Sequence, residues 1–475
     1  MTDSATPQDP GWRFPRAFWT ANAVEVLERA AWYGVFVVIT LYLSRILGFT
    51  DIEAAVVSGI FSAGLYFLPT FAGAYADRMG YRGALLLAFG LLTVGYGSMW
   101  LLPTLIQASG LAEYGREVVF TGLEDGWQKW LFIPVMIVIM VGGSFIKSVI
   151  TGTVARETTE VNRARGFSIF YAMVNVGAFS GKTIVKPLRA GMGNEGLVVL
   201  NLFAAGMTLL AFVLVLLFYR SARSPGEDKS LSEIWRSFVA VITQGRLVTL
   251  ILIITGFWMV QHQLYASMPK YILRMVGEGA SPSWYANVNP AAVVISVNLV
   301  TQLMRRRAAL TSMTVGMFIM PLAALAMASG NLMEGAILGM HPIAFMMIVG
   351  IAFQGLAESF ISPRFLEYFS LQAPKGEEGL YLGFSHLHSF VSLLVGFFLS
   401  GLLLDNFCPD PRTLTAAEQA QRLAALAGEG PMPAAYQHAH YLWFTFVGVS
   451  LLAAIALIIF GRVTRRIDRE VAEQR

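Results

Sequence analysis

The sequence has little charge and almost no cysteine. Only 13% of its 475 residues are charged, whereas a soluble domain needs about 25% to cover its surface. Cys408 is the single cysteine, which excludes an intramolecular disulfide and a cysteine-ligated metal cluster. A phosphate-binding loop of the GxxxxGK(S/T) type and a metal-binding HExxH pattern are also missing. These absences argue against ATP as a driving force, and we expect neither a metal nor another cofactor.

Apolar residues make up 56% of the chain, and its mean hydropathy is +0.60. A helix needs about 20 apolar residues to cross the ~30 Å hydrocarbon layer of a membrane. Runs of this length occur at roughly 18–44, 53–76, 83–106, 131–155, 166–189, 196–219, 247–274, 284–304, 308–330, 337–362, 380–404 and 438–461. They are too long and too continuous for the strands of a membrane barrel. We therefore expect an all-α membrane protein with about twelve transmembrane helices.

The distribution of basic residues predicts the orientation and the domains. Most of the 34 Lys and Arg residues lie in the loops on the same side as both termini, so both termini are expected in the cytoplasm. The N-terminus is polar where a cleavable signal would be apolar, so the first run is expected to stay as an anchor in the cell membrane. A cytoplasmic linker at 220–246 separates two predicted six-helix bundles, 18–219 and 247–461, and tails at 1–17 and 462–475 flank them. In such folds the substrate site lies near the midplane between the bundles.

Three charged residues, Glu25, Glu28 and Arg29, lie inside the first apolar run. Their spacing of i, i+3 and i+4 places them on one helical face, where they can form one cluster. A charge at bilayer depth costs about 2.5–3.5 kcal/mol on insertion scales and is a functional residue by default. One arginine cannot fully compensate two carboxylates, so one of them is expected to bind a proton. The cluster therefore predicts proton coupling, with a static ion pair as the alternative.

Short motifs relate the chain to a known family. The segment GAYADRMGYRGALL between the second and third runs resembles the loop signature of the major facilitator superfamily. The segment EVLERAAWYG resembles the ExxERFxYYG motif of the proton-dependent oligopeptide transporters, the POT family, with Ala30 in place of Phe and Trp32 in place of the first Tyr. Further family motifs occur in the family's order and on the corresponding runs, at Lys147, Asn175, Asn289, Pro290 and Glu358. The resemblance covers most of both halves.

This resemblance implies a major facilitator fold and proton-coupled symport of small peptides or peptide-like zwitterions. It implies that Lys147 and Glu358, in opposite halves, form the inner gate, and that Glu358 also takes part in proton coupling. Asn175 and Asn289 are expected to bind the amino end of the substrate, and Lys147 or Lys182 its carboxylate. The remaining predicted substrate contacts are Tyr33, Phe36 and Tyr66.

The chain departs from the family at the outer gate. The family usually has an arginine seven residues after Arg29 and an acidic residue on the seventh span, and here these positions are Phe36 and His262. We therefore expect the outer side to lack an electrostatic gate, and an imidazole that titrates near pH 6.5 is the candidate replacement. A structural role for His262 is the alternative. The missing cation predicts a compensating role for Lys182, against the alternative of a helix-end lysine that reaches the lipid headgroups.

Two other classes of function compete with the peptide symporter. One is proton-driven uptake or export of a non-peptide metabolite or drug-like compound, which the missing arginine favours. The other is a membrane-embedded enzyme, for which the sequence offers no nucleophile–base pair, so we expect no enzymatic activity. The expected partners are the substrate, protons and the lipid bilayer, without nucleic acid, and the functional unit is expected to be a monomer.

Overall fold

The computed structural model describes residues 13–115, 118–122, 126–159, 162–220, 231–372 and 384–473. Helices dominate this part of the chain. The helices before the linker are α1 Arg16–Phe36, α2 Ile39–Arg45, α3 Asp51–Phe67, α4 Pro69–Met79, α5 Tyr81–Ala108, α6 Phe132–Arg156, α7 Arg163–Met192 and α8 Glu195–Phe218. Helix α9, Leu231–Ile242, belongs to the linker. We call α1–α8 the N-terminal helices.

The helices after the linker are called the C-terminal helices. They are α10 Gly245–Gln261, α11 Gln263–Ala266, α12 Met268–Met275, α13 Pro282–Tyr285, α14 Val288–Met304, α15 Ala309–Ser329, α16 Pro342–Gln372, α17 Leu387–Phe407, α18 Ala416–Leu426 and α19 Tyr441–Glu473. Strands β1 Ala112–Tyr114 and β2 Val118–Phe120 form an antiparallel hairpin. Short 3₁₀ turns occupy Trp127–Leu131, Gly330–Leu332, Pro411–Thr413 and Ala434–Tyr436.

The predicted apolar runs are helical over most of their described length. Within the described residues, eight helices are long and apolar enough to cross a membrane, or nine if α1 and α2, which meet at 48°, count as one span. Other predicted runs are interrupted by proline, which lacks the backbone N–H that a helix needs. Pro69 begins α4 after a break from α3, and Pro269 lies in the first turn of α12. The count of twelve spans stays a prediction.

Close helix contacts join the N-terminal and C-terminal helices. Helix α3 packs along α17, and α7 packs against α13. A Cβ on Gly59 would lie 3.2 Å from the carbonyl oxygen of Leu393, and one on Gly401 would lie 3.0 Å from that of Asp51. Small residues at these crossings allow the backbones to approach closely, as is typical of membrane helices. The helix ends opposite to the chain termini are called the outer face, and Asp51 lies there.

A capping box fixes where α3 begins. The side chain of Thr50 accepts a hydrogen bond from the backbone N–H of Glu53, and the side chain of Glu53 accepts one from the backbone N–H of Thr50. Both contacts satisfy backbone donors that the first turn of a helix leaves free. The cap holds Asp51 at the first position of the helix, directed at the seam with the C-terminal helices.

Candidate functional site

The three charged residues of α1 form one buried cluster. Arg29 Nε lies 3.3 Å from Glu25 Oε1, and the Arg29 guanidinium also forms a hydrogen bond and an ion pair with Glu28. The residues Glu25, Glu28 and Arg29 are 4%, 4% and 8% exposed. The second carboxylate oxygen of Glu25 is buried and has no hydrogen-bond partner. The predicted clustering is confirmed, and the free oxygen is a place where a proton can bind.

A small cavity lies beside this cluster. Its volume is about 50 Å³, and its lining includes Glu28, Arg29, Tyr33, Tyr66 and Lys147. Lys147 Nζ lies 4.1 Å from the centre of the Tyr66 ring, and Lys147 is exposed although it lies within α6. A cavity of this size holds a few water molecules and no peptide. The cavity is therefore suited to proton exchange rather than to substrate binding.

Glu358 of α16 is held by side-chain amides. It accepts hydrogen bonds from Gln261 Nε2 at 2.9 Å and from Asn289 Nδ2 at 3.4 Å. The structure thus brings Asn289 and Glu358 together. Lys147 contacts Tyr66 instead of Glu358, so the predicted inner pair is not formed in this conformation.

Asn175 is half-buried and donates to the carbonyl oxygen of Tyr171 in its own helix at 2.8 Å. It has no hydrogen bond to Asn289 or Glu358 among the described residues. The structure therefore does not join the two asparagines that were expected to bind the same end of a substrate.

Lys182 of α7 lies in an aromatic environment. The residue is 2% exposed, and its Nζ lies 5.0 Å from the ring centre of Tyr33 and 5.6 Å from that of Tyr265. One hydrogen bond, at 3.4 Å, reaches the carbonyl oxygen of Ala286. No described carboxylate forms an ion pair with this ammonium group. The alternative of a lysine that reaches the lipid headgroups is wrong, because burial places the charge inside the protein.

Phe36 belongs to an aromatic cluster that joins the two sets of helices. Its ring stacks on Trp32 at a centroid distance of 4.7 Å and lies 4.9 Å from Tyr265 and 6.3 Å from Phe397. Trp32 is one helical turn before Phe36, so the two rings share one face of α1. Where the related family has a charged pair, this chain therefore has apolar packing.

His262 does not close the outer side. Its Nδ1 lies 3.1 Å from Ser392 Oγ, and its ring lies 5.5 Å from that of Trp258, so these contacts stay within the C-terminal helices. The predicted gating role is therefore not supported, because His262 is directed toward α17 and makes no described hydrogen bond with an N-terminal helix. The alternative of a structural histidine agrees with this geometry.

An ion-pair network closes the outer face, which corrects the expectation that it lacks an electrostatic gate. Asp51 contacts Lys270 Nζ at 2.7 Å and both terminal nitrogens of Arg274 at 2.7 and 2.9 Å. Lys270 also contacts Ser44 Oγ at 2.5 Å. Arg274 reaches Asp410 at 3.2 Å. Lys270 and Arg274 are one turn apart on α12. The sequence shows this spacing, but it does not show that both cations bind Asp51.

A second set of ion pairs lies beside the first. Glu278 contacts Arg45 at 2.5 Å and Arg189 at 2.8 Å. Burial alone would raise the pKa of Glu278, but the hydrogen bond and charge of Arg45, together with the charge of Arg189, lower it below its usual range. Both partners belong to N-terminal helices, whereas Glu278 follows α12. We call the ion pairs of Asp51 and Glu278 the outer gate.

Asp410 supports the outer gate from the loop after α17. Burial alone would raise its pKa, but the guanidinium groups of Arg274 and Arg412 outweigh this effect and lower the pKa well below its usual range. The carboxylates of Asp410 and Glu278 are therefore ionised at neutral pH. Because the outer gate is formed and Lys147 and Glu358 are not paired, the conformation is closed on the outer face.

Comparison with known proteins identifies the family. The family model of the Major Facilitator Superfamily matches residues 23–340, more than half of the chain. The chain is similar to dipeptide and tripeptide permease A of Proteus mirabilis, with 23% identity over 45% of this chain and 41% of that protein. It is also similar to dipeptide and tripeptide permease B of Shigella dysenteriae, with 22% identity over 80% of this chain and 86% of that protein. The chain thus spans less than half the length of the first relative and most of the second.

Solved structures agree with this assignment. The POT family transporter PepTSo is 18% identical, with coverage of 96% of this chain and 99% of that chain and a TM-score of 0.68. Tetrameric PepTSo2 is 20% identical, with coverage of 95% and 99% and a TM-score of 0.66. The predicted all-α major facilitator fold is confirmed, and the relatives and solved structures that the chain resembles are peptide permeases and POT family transporters. The chain belongs to the Major Facilitator Superfamily.

Proposed function

We propose that this protein is a proton-coupled symporter that takes up small peptides or peptide-like zwitterions across the inner membrane. The observation that carries the proposal is the presence of Lys182 and Glu358 in opposite sets of helices. Neither has an ion-pair partner of opposite charge among the described residues. A zwitterion supplies a carboxylate for the lysine and an ammonium group for the glutamate. The substrate would therefore neutralise both charges and join the two sets of helices.

The carboxylate of the substrate would bind at Lys182, between the Tyr33 and Tyr265 rings. Its amino end would bind at Glu358 and Asn289, which already share a hydrogen bond. Each contact is charge-assisted, and such contacts contribute about 1.5–3 kcal/mol.

Three further predicted contacts supplement these. Asn175 and Tyr66 are both half-buried rather than sealed in the core, which leaves them available to a substrate. Phe36 would contact apolar or aromatic groups of the substrate through the cluster that it forms with Trp32 and Tyr265.

The coupling proton would bind at Glu25 or Glu28. Arg29 compensates one negative charge, and Glu25 keeps one buried oxygen without a partner. A buried carboxylate oxygen without a hydrogen-bond donor is costly to leave unpaired, so this oxygen is the place at which a proton would bind. Lys147 lines the same cavity as Glu28 and Arg29. Proton binding at α1 would therefore change the electrostatic balance at Lys147, which belongs to the inner gate.

Alternation would exchange one gate for the other. In the outward-facing state Lys147 would leave Tyr66 and pair with Glu358, while the outer gate opens. Protonation of Glu358, or a substrate carboxylate near Lys147, would weaken that pair and favour inner opening. The proton gradient and the membrane potential drive the cycle, without a cofactor. One chain contains both sets of helices, so we propose a monomer as the functional unit, although the related PepTSo2 was crystallised as a tetramer.

A second candidate is proton-driven transport of a non-peptide metabolite or drug-like compound. The aromatic cluster around Phe36 favours it, because apolar surface stands where a charged anchor is expected. Reconstitution into proteoliposomes separates the two. Labelled dipeptides should accumulate under an inward proton gradient and should exchange in counterflow without one. A thermal-shift screen with a dipeptide library provides the candidates, and a protein that neither binds nor exchanges any dipeptide would contradict the peptide assignment.

A further inference from the structure

A second and larger cavity opens on the outer face. Its volume is about 680 Å³, and it lies between the end of α7, the start of α8, strand β1 and the segment before α13. Binding sites for small molecules commonly have volumes of about 300–1,000 Å³. We call this cavity the outer vestibule. Arg189 and Glu278 of the outer gate line it, whereas Glu358 does not.

The outer vestibule carries charges of both signs. Lys186 and Arg189 line it from α7, and Glu113 and Glu195 line it from β1 and α8. Glu195 accepts a hydrogen bond from Gln107 at 3.0 Å. A cavity with cations and carboxylates on different elements fits a zwitterion better than a ligand of one charge.

The cations of the vestibule have spare capacity. Lys186 Nζ lies 4.0 Å from the centre of the Trp284 ring, and no described carboxylate forms an ion pair with it. Arg189 contacts Glu278, but its Nε is buried and has no hydrogen-bond partner. A buried N–H without an acceptor is costly, so an arriving carboxylate would gain from both groups.

The outer vestibule contacts the outer end of a row of three cations on α7. Lys182, Lys186 and Arg189 have the spacing i, i+4 and i+7, so they lie on one face of α7. Seven residues of helix span about 10 Å. A carboxylate could therefore pass from Arg189 to Lys182 along this face without leaving a basic environment.

We propose that the outer vestibule is a second binding site for short zwitterionic peptides and that its occupant loosens the outer gate. The substrate class rests on the proposed function of the central site. A carboxylate bound at Lys186 and Arg189 competes with Glu278 for Arg189, so it weakens an ion pair that holds the outer face closed. Because coupling between binding and opening is reciprocal, loss of the Glu278 contact strengthens carboxylate binding.

The test uses the full-length protein in lipid nanodiscs with dialanine as the probe. Dialanine amide, which lacks the carboxylate, is the control ligand. Binding is measured by calorimetry, and outer opening by the distance between spin labels on Ser109→Cys and Leu423→Cys. These two positions, which we call the outer label pair, are exposed, whereas native Cys408 is buried.

Two variants should change the affinity of the vestibule for dialanine in opposite directions. Lys186→Gln should weaken one class of dialanine sites about ten- to a hundred-fold, the usual effect of losing one charge-assisted contact. Glu278→Gln should strengthen dialanine binding at that class of sites and lengthen the distance in the outer label pair. Arg462→Gln, which removes an exposed cation at the opposite face, should change neither quantity.

The outcomes separate the two proposals. If the wild type takes up dialanine but Lys186→Gln and Glu278→Gln bind it like the wild type, the vestibule proposal is overturned and the proposed function stands. If the wild type neither binds nor takes up dialanine, both are overturned. Lys182→Gln should strongly reduce uptake while the vestibule class of binding sites persists, and loss of all binding in this variant would show a single, central site.

Discussion

Asp51 and Arg274 join the two sets of helices through two side-chain hydrogen bonds, at 2.7 and 2.9 Å, and the two residues are 3% and 4% exposed. They are 223 residues apart in the chain. Asp51 begins α3, and Arg274 lies in the last turn of α12, so the pair connects an N-terminal helix directly to a C-terminal one. Lys270 adds a second cation to the same carboxylate.

Neutralising Asp51 should open the outer face. In Asp51→Asn the cations of Lys270 and Arg274 lose their buried partner, and breaking such a pair typically costs about 3–5 kcal/mol. We expect the distance in the outer label pair to shift strongly toward its longer, outward-open population. Glu53→Gln is the matched control, because Glu53 pairs with Lys129 within the N-terminal part. Equal distances in Asp51→Asn and the wild type would mean that another contact closes the outer face.

The outer gate should resist moderate acid and fail in strong acid. The pKa of Glu278 is lowered in the closed state by Arg45 and Arg189 against the effect of burial, and opening would return it toward an ordinary value of about 4.3. The ion pairs therefore stabilise the closed state fully above that ordinary pKa, and this contribution is lost as the pH falls through the lower value. The outer label pair should keep its distance from pH 8 to pH 5 and lengthen below about pH 4.

Glu278→Gln provides the control for this pH dependence, since its side chain cannot titrate. Its part of the acid response should vanish, although Asp410, whose pKa is also lowered, should still contribute. An opening of the wild type centred between pH 6 and pH 7 would show that a different group controls the outer face.

Proton coupling should depend on both carboxylates of α1. Glu25→Gln and Glu28→Gln remove the sites at which a proton can bind beside Arg29. We expect either variant to lose dipeptide accumulation driven by a pH gradient, because no charge change then accompanies the cycle. Counterflow exchange at equal pH should persist, since it requires substrate binding and not net proton movement. Wild-type accumulation in both variants would disprove this assignment.

The inner gate should be visible in the outward-facing state. Lys147→Gln and Glu358→Gln each leave one charge without its partner when the inner side closes, which should shift the protein toward the inward-open state. Spin labels on Met79→Cys and Leu371→Cys, at exposed inner ends of α4 and α16, would report a longer distance.

A charge exchange tests whether these two residues act on each other. The double variant Lys147→Glu with Glu358→Lys should recover part of the inner closure that each single substitution loses. If the single variants leave the label distance unchanged, the inner gate is formed by other residues.

Local geometry explains which features the sequence could predict. Glu25, Glu28 and Arg29 lie within five residues of one helix, so helical periodicity alone places them together. The family motifs placed Asn289 and Glu358 on two spans of the expected substrate site, but the sequence did not predict the hydrogen bond between them.

The outer gate depends on tertiary packing that the sequence does not show. In the sequence, Asp51 looks like an ordinary first-turn residue of α3. Lys270 and Arg274 look like basic residues at the end of a helix. Asp51 comes within hydrogen-bond distance of these cations because α3 approaches α17 at Gly401 and because α12, with Pro269 in its first turn, is short. His262 illustrates the same limit, since its position in the chain suggested a gate while its side chain turns toward Ser392.

The last prediction concerns how Lys182 recognises the substrate. If Lys182 binds the carboxylate, the wild type should take up dialanine much better than dialanine amide, by about ten- to a hundred-fold in apparent affinity. Lys182→Met keeps the length and apolar character of the stem but removes the charge, so the discrimination should disappear even if some uptake persists through Glu358 and Asn289.

Tyr171→Phe is the matched control for this variant, because Tyr171 lies on the same helix, is exposed and has no predicted carboxylate contact. Its discrimination should equal that of the wild type. Retained discrimination in Lys182→Met would move the carboxylate site to Lys147, whose Nζ lies against the Tyr66 ring. In that case Lys147→Met should lose the discrimination in its place, because only a cation can favour the free carboxylate over its amide.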